Sequence, residues 1–476
     1  MSRPLPDRRA ARPSPWLPRL GRGAWLALGI NALSCLGSGL TLPFLIVYLH
    51  QVRGFGLPTA GLILALSAVV GLVTTPLTGP LVDRVGSSRA LVAGLVTGGL
   101  GIALYALATT VPLAVLAAVV YGCASGLMWN GFATLLTSLV APAERGSVFA
   151  LRYMSANVAF GAGALISGFV TFSARPGPYV AILLVDAASY LLFAVALIRL
   201  RSLSTGPPAP AGQDRATPAG REHAAPGGPE HAAAAGRERG DPAPAGDRRE
   251  GYREVLRDRA LLAALLVHSL LMVFALSQTN VTFAAWVTGD GSGSTRVVGL
   301  AFSVNIAVLL LAQLPAIRLA RGRSRFAGAA GAAGLFAAAW VVLVLPTTLG
   351  LTGPGHDLLQ IASLGVFALG EAMLSPTLPA LVNDLAPERL RGRYNAVFSL
   401  SNQVGPVIAP VLAGLALGHA LGQPYLYALA VACLATGGLA LLVRRPIPRS
   451  ADLGTVGDRR RPARPVADGA PAGAAR

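Results

Sequence analysis

From Gly23 to Val52 the chain carries no Arg, Asp or Glu, and the same is true from Gly54 to Val82, from Ala90 to Ala143 and from Tyr394 to Val443. A helix needs about 20 apolar residues to cross the hydrocarbon core of a bilayer. Backbone amides in that core must bond within their own helix or around a closed barrel. Runs this long and this free of charge therefore predict helices built for lipid. The composition agrees: only 13% of residues are charged, where a water-soluble surface calls for about 25%.

Counting such runs predicts twelve spans, at residues 24–49, 58–80, 89–109, 112–138, 147–171, 179–199, 260–287, 297–317, 326–347, 357–383, 394–417 and 424–443. The first is read as a span and not as a cleaved leader, because its apolar stretch is too long for one. Residues 201–255 are rich in Pro, Gly, Ala, Arg and Glu and nearly lack large apolar side chains. Such a segment cannot bury enough surface to fold, so a disordered linker is predicted there, and likewise a disordered tail at 446–476.

The formal charge of +18 would suggest nucleic acid on a soluble protein. Here the basic residues, all of them Arg, sit mostly in the N-terminal arm (residues 1–23), the tail and the loops on the same side as both. Arg53, Arg175 and Arg296 are alone on the other side. That asymmetry predicts both termini in the cytoplasm of a bacterial plasma membrane, and it accounts for the charge without a nucleic-acid partner. Cys35, Cys123 and Cys433 are far apart within apolar runs, so neither a disulfide nor a metal site is expected.

The linker divides the spans six and six, and the halves echo each other. Arg145, Gly146, Ala150 and Gly168 pair with Arg391, Gly392, Ala396 and Gly414 at one constant offset. The expected fold is all-α: twelve transmembrane helices in two pseudo-symmetric six-helix bundles, residues 24–200 and 256–445.

Between spans two and three runs Gly79-Pro80-Leu81-Val82-Asp83-Arg84-Val85-Gly86-Ser87-Ser88-Arg89-Ala90-Leu91. This resembles the loop motif of the major facilitator superfamily, with Gly79, Leu81, Asp83, Arg84, Gly86 and Leu91 in register and Ser87-Ser88 where a basic pair is usual. The resemblance implies alternating access, with substrate bound near mid-membrane between the halves. It also implies a latch in which Asp83 meets the positive end of the eleventh helix, a position that attracts anions. Gly79 is expected to permit close packing and Gly86 a turn with positive φ.

Ionisable groups inside a span are costly and so are functional candidates. Glu371 in span ten and Asp186 in span six are the two carboxylates of this kind, and Arg152 lies near the start of span five. In the family spans one, four, seven and ten line the cavity, which makes Glu371 the stronger candidate for proton coupling or substrate. Candidate cavity-lining residues are Asn31, Tyr48, Trp129, Asn130, Asn157, Gln278, Asn280, Asn402 and Gln403. Amides and aromatics without a dense charge array suit an amphipathic organic molecule.

The expected function is a secondary transporter, an efflux permease driven by the proton gradient with no cofactor, acting as a monomer. An uptake permease is the alternative. A membrane-embedded enzyme is remote, because the six His residues are scattered and no H-E-x-x-H pattern occurs. Span four lacks the buried Arg of many drug/proton antiporters, and the antiporter glycine-proline motif has only a loose echo in span five.

Overall fold

The computed structural model describes residues 20–140, 144–171, 175–203, 252–289, 293–445, 447 and 449–453. Among them, twelve helices are long and apolar enough to cross a membrane. We number them α1 (Arg22–Val52), α2 (Leu57–Val85), α3 (Ser87–Leu107), α4 (Val111–Ser138), α5 (Arg145–Val170), α6 (Pro176–Leu203), α7 (Arg259–Thr288), α8 (Thr295–Ala320), α9 (Arg325–Thr348), α10 (Pro354–Leu385), α11 (Arg391–Gly418) and α12 (Gly422–Val443). Each coincides with a predicted span, and the ends move by only a few residues.

The packing repeats across the two halves. In the first, α1 lies against α5 and α6, α4 against α2 and α3, and α3 against α6. In the second, α7 lies against α11 and α12, α10 against α8 and α9, and α9 against α12. Adding six to each helix number turns the first set into the second. The halves meet through α2 with α11 and through α5 with α8, two contacts that the same operation exchanges.

These crossings are close because glycine permits it. A side chain on Gly168 of α5 would meet the Thr295 carbonyl of α8 at 2.7 Å, and one on Gly414 of α11 would meet the Leu57 carbonyl of α2 at 2.6 Å. Gly299, one turn beyond Thr295, packs on the Ala164 carbonyl, and Gly61, one turn beyond Leu57, packs on that of Pro410. The glycines matched in the sequence repeat thus occupy equivalent places in space.

Two predicted boundaries shift. Residues 252–255, placed in the linker from composition, are helical, with Val255 fully buried. Arg449–Asp452, placed in the tail, forms a short helix, α13. Asp452 accepts a hydrogen bond from the Phe326 amide at the start of α9, satisfying one of the free N–H groups there. The compositional argument averages over a window and misses single apolar anchors such as Val255 and Ile447. The arm before Leu20, residues 204–251 of the linker and the tail after residue 453 lie outside the described residues.

Candidate functional site

Two helices break in the middle of the protein, and they are symmetry mates. α1 is α-helical to Thr41, turns 3-10 at Leu42–Phe44 and ends as a π-helix at Tyr48–Val52. α7 is α-helical to Phe274, turns 3-10 at Leu276–Gln278 and continues as a π-helix over Thr279–Phe283. Pro43 explains the first break, since proline has no N–H to give the helix. The second has no proline; the polar run Ser277-Gln278-Thr279-Asn280 supplies side chains that replace backbone bonds. The Gln278 amide donates to the Val273 carbonyl at 2.8 Å and accepts from Thr282.

A cavity of about 180 Å³ lies between the halves where these breaks face each other. Leu42 and Leu45 of α1 and Ser277 and Asn280 of α7 line it, with Tyr105, Tyr121, Ser67 and Pro406 from neighbouring helices. No Asp, Glu, Arg or His is among its lining residues. The Asn280 Oδ1 is enclosed and has no protein partner. An enclosed carbonyl oxygen left unpaired costs about 1–3 kcal/mol.

The face carrying both termini and the opposite, distal face are not equivalent. Among the described residues, these four glycine crossings sit toward the distal face, and so do three hydrogen bonds that join the halves. Gln51 donates to the Thr288 carbonyl at 2.8 Å, Thr295 to the Thr171 carbonyl at 2.9 Å, and Ser303 to the Gly161 carbonyl at 3.1 Å. A second cavity of about 320 Å³, lined by His50, Pro58, Gly289 and Gly418, lies on the distal side of this seam.

Of the residues predicted from sequence to line the cavity, Asn280 does. Tyr48 is buried at the distal end of α1, where its hydroxyl donates to the Ala106 carbonyl at 2.8 Å and accepts from Arg53 at 2.7 Å. It ties α1 to α3. Gln278 is turned into the second half, where it holds the α7 break. The Asn402 Oδ1 accepts from the Nε2 of the buried His268 at 2.8 Å, joining α11 to α7. Asn157 donates to the Tyr153 carbonyl of its own helix at 2.8 Å. Gln403 is half-buried on α11. Asn31 is half-buried on α1, nearer the terminal face, with its Oδ1 enclosed and unpartnered. The side chains of Trp129 and Asn130 lie outside the described residues. Tyr105, Tyr121, Ser67 and Ser277 were missed, because single hydroxyls in apolar runs carry no sequence signal until the helices are paired.

The two membrane carboxylates sit in different settings. Asp186 is 1% exposed on α6 and accepts from Thr41 of α1 at 2.7 Å. Glu371 is half-buried on α10 and accepts from Asn305 of α8 at 3.1 Å, while Asn305 also donates to the Leu364 carbonyl at 3.2 Å. Arg152 stacks its guanidinium over the Phe132 ring of α4 at 4.7 Å. In the loop motif, Gly86 has φ of 86°, and Arg84 and Arg89 are exposed. α11 begins at Arg391, where the latch requires a helix N-terminus. The Gly79 surroundings and the Asp83 side chain lie outside the described residues.

Two six-helix halves related by pseudo-symmetry, with broken helices around a cavity between them, form the architecture of a secondary transporter and not of an enzyme. The model of the Major Facilitator Superfamily matches residues 27–355 and 297–470, so the chain belongs to that family. An uncharacterized MFS-type transporter of Bacillus subtilis, YqjV, is 23% identical over 398 residues, covering 83% of this chain and 86% of its own. A Na(+), Li(+), K(+)/H(+) antiporter of Planococcus maritimus is 23% identical over 391 residues, covering 78% and 83%. Among solved structures, a peptide transporter POT in complex with sulfate superposes with a TM-score of 0.68 at 17% identity, covering 91% of this chain and 97% of that one. That likeness concerns the fold.

Proposed function

We propose that the protein is an efflux permease of the bacterial plasma membrane, with both termini in the cytoplasm. It carries an uncharged amphipathic organic molecule outward in exchange for protons, works as a monomer and uses no cofactor. The observation that carries this reading is the cavity at the α1 and α7 breaks. Apolar and aromatic walls interrupted by a few hydroxyl and amide residues suit an amphipathic molecule with an apolar body. A zwitterionic peptide or a bare cation would find no counter-charge on those walls. The Arg distribution orients the terminal face inward.

Transport into inverted membrane vesicles tests this, with a panel of uncharged lipophilic fluorescent dyes, with and without an imposed pH gradient. Gradient-dependent accumulation of a neutral dye that is lost in Asn280→Leu is the expected result. The name of the Planococcus maritimus relative supports a second reading, alkali-cation/proton antiport. Sodium-22 uptake in the same vesicles, with no dye accumulated, would select it.

A further inference from the structure

The cluster around Asp186 goes beyond the cavity. Gly37 on α1 has no room for a side chain, because a Cβ there would collide with the Asp186 carboxylate and with the Ser189 hydroxyl. The absence of a Cβ lets α6 press its acid against α1, where Thr41 donates to one carboxylate oxygen at 2.7 Å and Ser189 lies 3.5 Å from the other. One turn along α6, the Tyr190 hydroxyl is 3.3 Å from that of Ser38 on α1. Tyr190 interacts in turn with the Tyr121 hydroxyl of α4. Tyr121 is itself a wall of the central cavity. Tyr121 and Tyr190 therefore stand between the cavity and a carboxylate sealed inside the first half, each within electrostatic reach of it.

The ionisable groups facing Asp186 are few. Tyr190 shares its helix, Tyr121 comes from α4 with Tyr105 of α3 behind it, and Cys35 of α1 lies within electrostatic reach of both Asp186 and Arg152 of α5. Among the described residues no Arg or His comes within salt-bridge distance of the acid. An ionised carboxylate in hydrocarbon without a cation costs several kcal/mol. Two hydroxyl contacts do not offset that, so the charge on Asp186 depends on whether water reaches it.

We infer that Asp186 is the proton-binding residue of the transport cycle and that Tyr190 and Tyr121 connect its state to the substrate cavity. This rests on the proton-coupled reading above, and it assigns the role to α6 of the first half instead of Glu371 of the second. In the sealed state the acid holds its proton. When the first half opens and the cavity hydrates, the proton passes from the carboxyl oxygen to water entering beside Tyr121 and Tyr190 and leaves a carboxylate. The opposite face supplies the next proton by the reverse path. Thr41 is a positioning residue that fixes the carboxylate against α1.

The test uses the full-length protein, without substrate, in infrared difference spectra recorded across a pH titration. The expected result is a carboxylic-acid C=O band that titrates in the wild type, is lost in Asp186→Asn and persists in Glu371→Gln. Thr41→Val should keep the band but displace its midpoint, and it serves if Asp186→Asn does not fold. A band that survives in Asp186→Asn, or vanishes in Glu371→Gln, overturns the assignment. A band that responds to added sodium at fixed pH also overturns it, making the cluster a cation site. Failure of the coupling reading looks different: the band behaves as expected, while dye accumulation in vesicles ignores the pH gradient.

Discussion

The two halves share one scaffold and differ in where they put their polar groups. In the first half the membrane-embedded acid points inward, from α6 onto α1, and is sealed. In the second, the acid of α10 is half-buried and meets an amide of α8, a helix that also touches the first half. The symmetric place of Asp186 on α12 is filled within the run Gly422–Val443, which has no acidic residue at all. Duplication fixed the helix packing, and the chemistry diverged on top of it. Scaffold symmetry therefore predicts equal effects for equivalent structural substitutions, and polar divergence predicts unequal effects for the acids.

The largest effects should come from the glycine crossings, where backbone meets backbone and nothing can yield. Gly168→Ala and Gly414→Ala each insert a Cβ within 2.7 Å of a carbonyl on the opposite half. Overpacking of this kind costs about 1–3 kcal/mol, equivalent to a shift of roughly 5–150-fold in an equilibrium. Both variants should move the protein away from distal closure by similar amounts, read as the distance between spin labels on the distal ends of α2 and α11. A large shift in one and none in the other would break the symmetry argument.

That equivalence was legible in the sequence, because Gly168 and Gly414 pair at the offset that aligns Arg145 with Arg391. The twelve spans were legible too, since the cost of placing charge in lipid writes itself into long uncharged runs. Asn280 could be chosen because it lies in a helix that the family resemblance assigns to the cavity. The rest required three dimensions. Tyr48 and Gln278 look like cavity residues in one dimension, yet Tyr48 bonds a neighbouring helix and Gln278 bonds across the break of its own. Whether a side chain on a broken helix faces a cavity or a neighbour depends on local rotation, and the α7 break has no proline to announce it. Asp186 was ranked below Glu371 because span six is not among those that the family resemblance assigns to the cavity. Gly37, one residue without a side chain, brings that helix close enough to bury its acid.

A smaller effect is expected where the second half anchors its first helix. Asp258 caps α7, accepting from the Ala260 and Leu261 amides at 2.9 and 3.3 Å, and takes the Tyr394 hydroxyl of α11 at 2.8 Å. Losing such a cap costs about 1 kcal/mol, so Asp258→Ala should lower the thermal midpoint in detergent, while Tyr394→Phe lowers it less. Equal losses would mean that the α7–α11 tie, and not the cap, matters. Smaller again is the His268–Asn402 pair, for which polar contacts between membrane helices average about 0.6 kcal/mol. A double-mutant cycle of His268→Ala and Asn402→Ala, followed by unfolding in mixed micelles, reads that coupling directly; zero coupling would make the 2.8 Å contact incidental.

The smallest effect of all is expected on the terminal face of the second half, where two ion pairs rank by exposure. Arg389 meets Glu254 at 2.5 Å with side chains 66% and 49% exposed. Arg325 meets Asp384 at 2.6 Å, and its own side chain is only 13% exposed. Distance would call these pairs equal, but water screens the first far more than the second. Exposed pairs contribute about 0.2–1 kcal/mol, so Arg389→Ala should fall at the bottom of that range and Arg325→Ala at or above the top. Arg389 also ties residues 252–255 to the start of α11, so its loss should speed proteolysis near Glu254 while leaving the thermal midpoint almost unchanged. If Arg389→Ala melts the protein as strongly as Arg325→Ala, the linker end supports the second half instead of merely resting on it.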